Sequence, residues 1–477
     1  MGLRIGFLFD GGETKELVPL KMLFLILFAA FSVQTYLPIY FDSQNFSKMQ
    51  IGVLLSIPCV CAILSPPIWG AAADIMQNQR AVHIACLLSA GLLMFSIRFV
   101  STFPVMCVMV FAANFQTQPA MSLLDQTAMA LLSRVGGDYG KQRLYGAIGY
   151  GAGGYAAGVL AATVGIAWCF NMVLALSLLS LFILVSFVPS YSAKPPATST
   201  EKTALSAQEG GHGAHGKPAE EEEGRGDFLH SLALILQKRD LIVLFAIVLL
   251  AGLMGGLIDN FLFLYLFNLS GDNANLVGVV IATETVSELP LFFYANHIIT
   301  RFGTPACIFA SLIAYGVRMT VYVFVQNPWL ALPIETMHGL TYGLLWAAFT
   351  NYVYQSAPEG TEGTMIGLLT AVQKGMGSGV GTLVGGYIYE HWGPRAMWRV
   401  AAFGVFPLSL LFAAIFSSVA LTFTGQSPTR KHSVASSHEA RSILGSYGDL
   451  SVMALEHSPV NGYGATSNDT HRKSDLV

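Results

Sequence analysis

Several ionisable residues fall at helical spacing inside long apolar runs, and the spacing limits what they can do. Glu284 and Glu288 stand four apart, so on a helix they share one face. Two carboxylates that close resist double ionisation, and the pair is expected to share a proton. Glu335, His338 and Tyr342 follow at i, i+3 and i+7, again one stripe. With Arg318 in the preceding run, they form a set suited to taking up and releasing a proton. Arg143 and Tyr150, seven apart, lie two turns along one face. A guanidinium for hydroxyls and a ring face for C–H groups suit a hydroxylated ring ligand. Asp125, in the run before Arg143, joins this binding set. Asp259 and Lys374 read as a structural ion pair, and Arg98 as a side chain that snorkels to an interface. These are five acids against four bases, near the balance expected if most are paired. Gln34, Asn114, Gln116 and Gln118 either line a cavity or bond neighbouring helices.

The elements that must hold these groups follow from composition. Of 477 residues, 53% are hydrophobic and only 11% are Asp, Glu, Lys or Arg, against about 25% charged in an average soluble domain. Mean hydropathy is +0.57. So few charges cannot coat a soluble protein of this length, which leaves an all-α membrane protein in a lipid bilayer. A net charge of −3 without a basic stripe excludes nucleic acid as a partner. The six cysteines all fall in apolar stretches, where a thiol is a small hydrophobe. No disulfide scaffold, metal or cofactor is expected. No G-x-x-x-x-G-K-[ST] occurs, and no nucleophile–base set is legible, so neither an ATP-driven pump nor an enzyme is expected.

A membrane helix needs roughly 20 mostly apolar residues. Twelve such runs are predicted, near 20–40, 51–73, 82–100, 104–132, 143–163, 167–189, 241–267, 276–299, 305–325, 329–356, 363–389 and 396–423. The chain then divides into a cytosolic segment 1–19, a six-helix bundle 20–189, a disordered cytosolic linker 190–240, a second six-helix bundle 241–423 and a disordered tail 424–477. Acidic residues and no A-x-A-like site before the first run argue against a secretory signal there. His212 and His215, in G-H-G-A-H-G, read as part of a flexible spacer. With both termini cytosolic, 19 of 25 Lys and Arg fall on the cytosolic side and three on the other. Trp168, Trp329, Trp392 and Trp398 then sit near the outer ends as interfacial aromatics. The fifth and eleventh runs are both glycine-rich, and small residues let helices approach closely. Two six-helix repeats of this kind describe a secondary transporter.

Gly70-Ala-Ala-Ala-Asp74 with Arg80 resembles the loop 2–3 signature of the major facilitator superfamily. That resemblance implies a role for Asp74 in the cytosolic gate. Leu123-Leu124-Asp125, with Tyr139 to Tyr150, resembles the lactose-permease segment joining helices 4 and 5. It implies that Asp125 and Arg143 bind solute hydroxyls and that Tyr150 stacks on the ring. Arg301-Phe302-Gly303 followed by Arg318, and Lys374 ahead of Tyr389-Glu390, resemble the permease C-terminal half. There the Arg flanks the proton site, and the Lys pairs with an Asp, here Asp259. His338 falls at the helix 10 His, whereas Thr341 stands where the permease has its proton-carrying Glu and Glu335 where it has a Lys. The resemblance therefore moves the proton carrier to Glu335, or to Glu284 and Glu288. Within this branch the chain is similar to the nucleoside/proton symporters and to eukaryotic members with Asp259-Asn260-Phe261-Leu262-Phe263-like segments.

The expectation is a monomeric major facilitator transporter working by alternating access. It would couple protons to symport of a small polar solute, sugar-like or nucleoside-like. The rivals are an uncoupled facilitator or exporter, and a non-transporting receptor or scaffold on the same fold. Asn45 and Asn268 lie in N-glycosylation sequons on outer loops, and Tyr447 in a Tyr-x-x-apolar sorting pattern.

Overall fold

The computed structural model describes residues 17–76, 78–136, 139–188, 238–357 and 361–423. Within them lie twelve helical segments: α1 Leu17–Ser43, α2 Lys48–Ile75, α3 Gln79–Phe99, α4 Phe103–Val135, α5 Tyr139–Thr163, α6 Trp168–Ser186, α7 Arg239–Leu269, α8 Ala274–Phe302, α9 Thr304–Phe324, α10 328–356, α11 362–392 and α12 394–423. Residues 1–16, 189–237 and 424–477, with His212, His215 and Tyr447, lie outside the described residues. α1 and α7 begin at Leu17 and Arg239, slightly ahead of the predicted bundle starts.

Eight of the twelve are long and apolar enough to cross a membrane by length and composition alone. The other four are α4, α5, α10 and α11. They carry Asp125, Arg143, Glu335 with His338, and Lys374, together with the glycine runs. Their polar residues face protein, and that lowers their hydropathy. In hydrocarbon every backbone group must be bonded within the protein, which is why helices form throughout.

The two halves repeat each other in their turns. Asn45 between α1 and α2 and Asp272 between α7 and α8 both adopt positive φ, 61° and 65°. Gly165 between α5 and α6 and Gly393 between α11 and α12 do the same at 108° and 80°, where a Cβ would be strained.

The glycines serve two faces. A Cβ at Gly149 or Gly153 of α5 would run into the backbone of α1 at Leu25 or Ala29. From the same helix Gly151, Gly154 and Gly158 abut α8 of the other half, at Thr285, Ile281 and Gly278. α11 repeats this, with Gly377 and Gly381 against α7 and Gly379 and Gly386 against α2. Glycine thus sets both the packing within each half and the seam between halves.

At the end carrying the α1–α2 and α7–α8 turns, a polar clasp joins the halves. Asp42 pairs with Lys48 and accepts a hydrogen bond from Asn268 Nδ2 at 3.4 Å. The Lys48 backbone N–H donates to Glu390 Oε2 at 2.5 Å, and its ammonium lies 5.7 Å from the Tyr389 ring centroid. Such half-exposed pairs contribute little to folding, about 0–1 kcal/mol. Asp42→Asn is therefore expected to leave the unfolding midpoint nearly unchanged while loosening this end. Faster alkylation of a cysteine introduced by Ala274→Cys, in the seam beside Gly158, would register the loosening. An unchanged labelling rate would assign the clasp no part in closure.

Two placements differ from expectation. Trp398 is fully buried against Tyr322 and Tyr265, at ring separations of 5.1 and 6.0 Å, rather than interfacial. Lys21, one of the 19 Lys and Arg assigned to the cytosolic side, is instead buried within α1 with its ammonium 5.1 Å from the Tyr145 ring centroid. Arg80 caps α6, donating to the carbonyls of Leu184 and Val185 at 3.2 and 2.7 Å.

Candidate functional site

Five of the predicted site residues converge in one cluster built by α8, α9 and α10. Arg318 of α9 is 1% exposed and is its centre. Its guanidinium pairs with Glu335, reaches Glu284 Oε1 at 3.5 Å, and donates to Thr341 Oγ1 at 2.6 Å and to His338 Nδ1 at 3.1 Å. Because a guanidinium only donates, Nδ1 must accept. Nε2 then carries the proton and donates to Glu288 Oε1 at 2.6 Å. His338 is therefore neutral in this arrangement, and three carboxylates face one cation. Glu335 Oε1 is buried without a hydrogen-bond partner. An isolated surplus negative charge is costly in such surroundings, so a proton bound among the carboxylates is the economical state. Oxygen and nitrogen atoms of Glu284, Glu335 and His338 lie within 4.8 Å of one another. That spacing suits a metal ion as well, but the guanidinium already fills the space on which they converge.

Local backbone explains the convergence. α10 is interrupted at Thr336 and Met337, directly after Glu335, and continues as a π-helix over Gly339–Leu344. The wider turn admits Thr341 to the cluster and stacks Tyr342 on His338, at 5.6 Å and 19° between rings. Ser287 of α8 ties the break down: Gly339 N–H donates to its hydroxyl at 3.2 Å, and the hydroxyl donates to Glu284 O at 2.7 Å. Two further π-turns, Ile258–Leu262 and Ala371–Ser378, carry Asp259 and Lys374. Wide turns of this kind concentrate at functional sites.

The expected Asp259–Lys374 ion pair is not made. Among the described residues Asp259 has no hydrogen bond or ion pair, and it is exposed although it lies mid-helix. The Lys374 ammonium instead lies 3.5 Å from Tyr342 Oη and 5.8 Å from the ring centroids of both Tyr342 and Trp346. Each of the two side chains stands on a π-turn, and they do not meet.

In the first half, Asp125 of α4 accepts from Arg143 Nη1 at 2.9 Å and from Tyr139 Oη at 2.7 Å. Both members of this pair are buried. Arg143 also lies 4.4 Å from the Phe28 ring centroid. Tyr150, two turns on, shares a hydrogen bond of 2.8 Å with Thr35 rather than touching the pair. Phe24, Phe28 and Phe31 of α1 form a ladder of rings 6.2 and 6.3 Å apart that continues to Tyr150 at 6.5 Å. This aromatic wall, at i, i+4 and i+7 on α1, went unnoticed in the sequence, as did the part of Ser287, while Thr341 was marked only as the replacement of a permease Glu and not as a member of the cluster. Asp74 falls in the last turn of α2, and its side chain lies outside the described residues. Arg98 donates to Asn171 Oδ1 at 2.6 Å between the rings of Phe95 and Phe99.

Comparison with known proteins follows the same lines. Maltose permease from Geobacillus stearothermophilus is 25% identical over 387 residues, 81% of this chain and 90% of its own length. The putative nucleoside transporter YegT of Escherichia coli is 24% identical, over 79% of this chain and 88% of its own. A major facilitator superfamily domain-containing protein 6-like protein B from Xenopus laevis is 26% identical over 34% of this chain and 26% of its own. Among solved structures, the nucleoside transporter NupG superposes with a TM-score of 0.68 at 17% identity, over 85% of this chain and 99% of its own. The permease, YegT and NupG carry the names of transporters, not of enzymes, and the fold is the major facilitator fold. The sequence profile of the MFS_1 like family matches residues 17–400, and the chain, a multi-pass integral membrane protein, belongs to that family.

Proposed function

We propose that this chain is a proton-coupled symporter of a small polar solute, sugar-like or nucleoside-like, working by alternating access. One observation carries the coupling: Glu284, Glu288 and Glu335 face a single guanidinium and a neutral imidazole in a buried cluster. Binding a proton there relieves surplus charge, and releasing it requires the cluster to meet water or to rearrange. Glu335 is the carrier on this reading, and Glu284 and Glu288 support it. Asp125, Arg143 and Tyr150, backed by the aromatic ladder, hold hydroxyls and a ring face of the solute. The maltose and nucleoside specificities in the names of the relatives support that solute class. On this reading both termini lie in the cytosol, as the Lys and Arg distribution suggests, and Asp74 serves the gate on that side.

The test is the full chain in liposomes with a pH dye inside, challenged with sugars, nucleosides and small organic acids one at a time. Solute-driven proton entry in wild type, lost in Glu335→Gln while solute exchange persists, is the expected result. Entry retained in Glu335→Gln would move the carrier to the α8 pair. Solute flux without proton movement would replace symport by facilitated diffusion.

A further inference from the structure

Asp259 and Lys374 are the two intramembrane charges that the proposed cluster does not use, and each stands on a π-turn. An exposed carboxylate in the middle of α7 is expensive unless it faces a polar space. Gly255, four residues before Asp259, faces Tyr315 of α9, whose Oη lies 3.4 Å from where a Cβ would stand, so this side of α7 looks into the second half rather than to lipid. Lys374 is half-buried, and its recorded neighbours are the Tyr342 hydroxyl and the rings of Tyr342 and Trp346. α7 and α11 pack backbone to backbone: a Cβ at Gly252 would run into Gln373 O and one at Gly256 into Ser378 O, so an acceptor and a donor stand on touching helices without pairing. Their charges sum to zero, so a neutral occupant leaves no net charge in the membrane.

We infer that Asp259 and Lys374 form a ligand subsite of the second half for vicinal hydroxyls of a neutral ring solute. One hydroxyl donates to the Asp259 carboxylate. Its neighbour accepts from the Lys374 ammonium, and the half-buried Tyr342 ring flanks the C–H face. A zwitterion would offer matching charges, but stripping two ions of water costs far more than desolvating hydroxyls.

Tyr342 gives the subsite a second consequence. Its hydroxyl meets Lys374, and its ring is stacked on His338, which holds Glu288 and Arg318. A solute that draws Lys374 off Tyr342 removes one of the contacts that hold this ring against His338, beside the edge contact with Phe292 at 6.2 Å. Tyr342 is thus a positioning residue between solute and proton cluster. This inference rests on the transport reading above and deepens it.

The experiment compares wild type, Asp259→Asn, Lys374→Gln and the double variant in liposomes, using labelled maltose, uridine and alanine in solute exchange. A locking ion pair would be rescued by neutralising both partners, because no stranded charge remains. A ligand subsite would not be. The expected result is at least a tenfold weaker half-saturation for maltose or uridine in both single variants and in the double, with unfolding midpoints close to wild type. Tyr342→Phe, which keeps the stack and removes the hydroxyl, is expected to preserve exchange and to lower protons moved per solute. Wild-type exchange in the double variant, or exchange of alanine alone, overturns the subsite. Wild type that exchanges none of the three overturns the transport reading beneath it and the subsite with it.

Discussion

Arg318→Gln is expected to cost about 3–5 kcal/mol of stability, the range for removing one partner of a buried ion pair. The side chain is 1% exposed and is the one cation that Glu335 and Glu284 contact among the described residues. Its loss also strips a donor from Thr341 and from His338 Nδ1. Two buried carboxylates would be left facing each other across an apolar gap. The defect has a sign that can be checked. Acidification protonates stranded carboxylates, so the variant should regain stability as pH falls, against the usual acid trend. Adding Glu335→Gln to Arg318→Gln should recover much of the loss, a coupling within the roughly 0.5–3 kcal/mol typical of contacting residues. Unfolding of the four proteins in detergent, at two pH values, measures both effects. Independent, additive losses would show that Arg318 and Glu335 do not act as a pair.

What was legible in the sequence follows from how few choices a bilayer leaves. A run of about 20 apolar residues has one good fate, and all twelve predicted runs are helices here. An ion inside such a run must find a partner, so Glu284, Glu288, Arg318, Glu335 and His338 stood out, and the fold brings them together. Hydroxyls carry no such signal. Thr341 and Ser287 are cheap to place anywhere on a helix, yet they complete the cluster. The π-turns were invisible to a 3.6-residue stripe. That is why Asp259 and Lys374, paired on paper, do not pair here, and why Tyr342 leaves the carboxylate stripe to join His338 to Lys374. The aromatic ladder of Phe24, Phe28 and Phe31 was hidden for the opposite reason: a phenylalanine in an apolar run looks like all the rest. Glycine content announced close approach in α5 and α11 without saying which neighbour each glycine meets.

That last ambiguity separates two substitutions on one helix. At Gly149 a Cβ would strike the Leu25 carbonyl of α1, within the same half, so Gly149→Val is expected to damage folding. Gly158 faces across the seam. A Cβ there would lie 2.7 Å from Tyr36 Oη, 2.8 Å from Ala274 O and 2.9 Å from Gly278 Cα. Two of these are α8 backbone atoms that cannot swing aside, and Tyr36 is held by its bond to Gly154 O at 2.7 Å. Gly158→Val therefore penalises chiefly the closed seam, where the clash is with backbone, while within its own half only the hydroxyl end of Tyr36 must shift. Overpacking costs about 1–3 kcal/mol, and a penalty of that size shifts a two-state equilibrium roughly 5- to 150-fold. The variant should purify with a near-normal unfolding midpoint, transport poorly, and label faster at Ala274→Cys than the same cysteine in the parent protein. The shift should also add to that of Asp42→Asn, since clasp and seam oppose opening at the same end through different atoms. A Gly158→Val protein that unfolds early and labels no faster would mean that the seam belongs to the folded core. The two halves would then not part there.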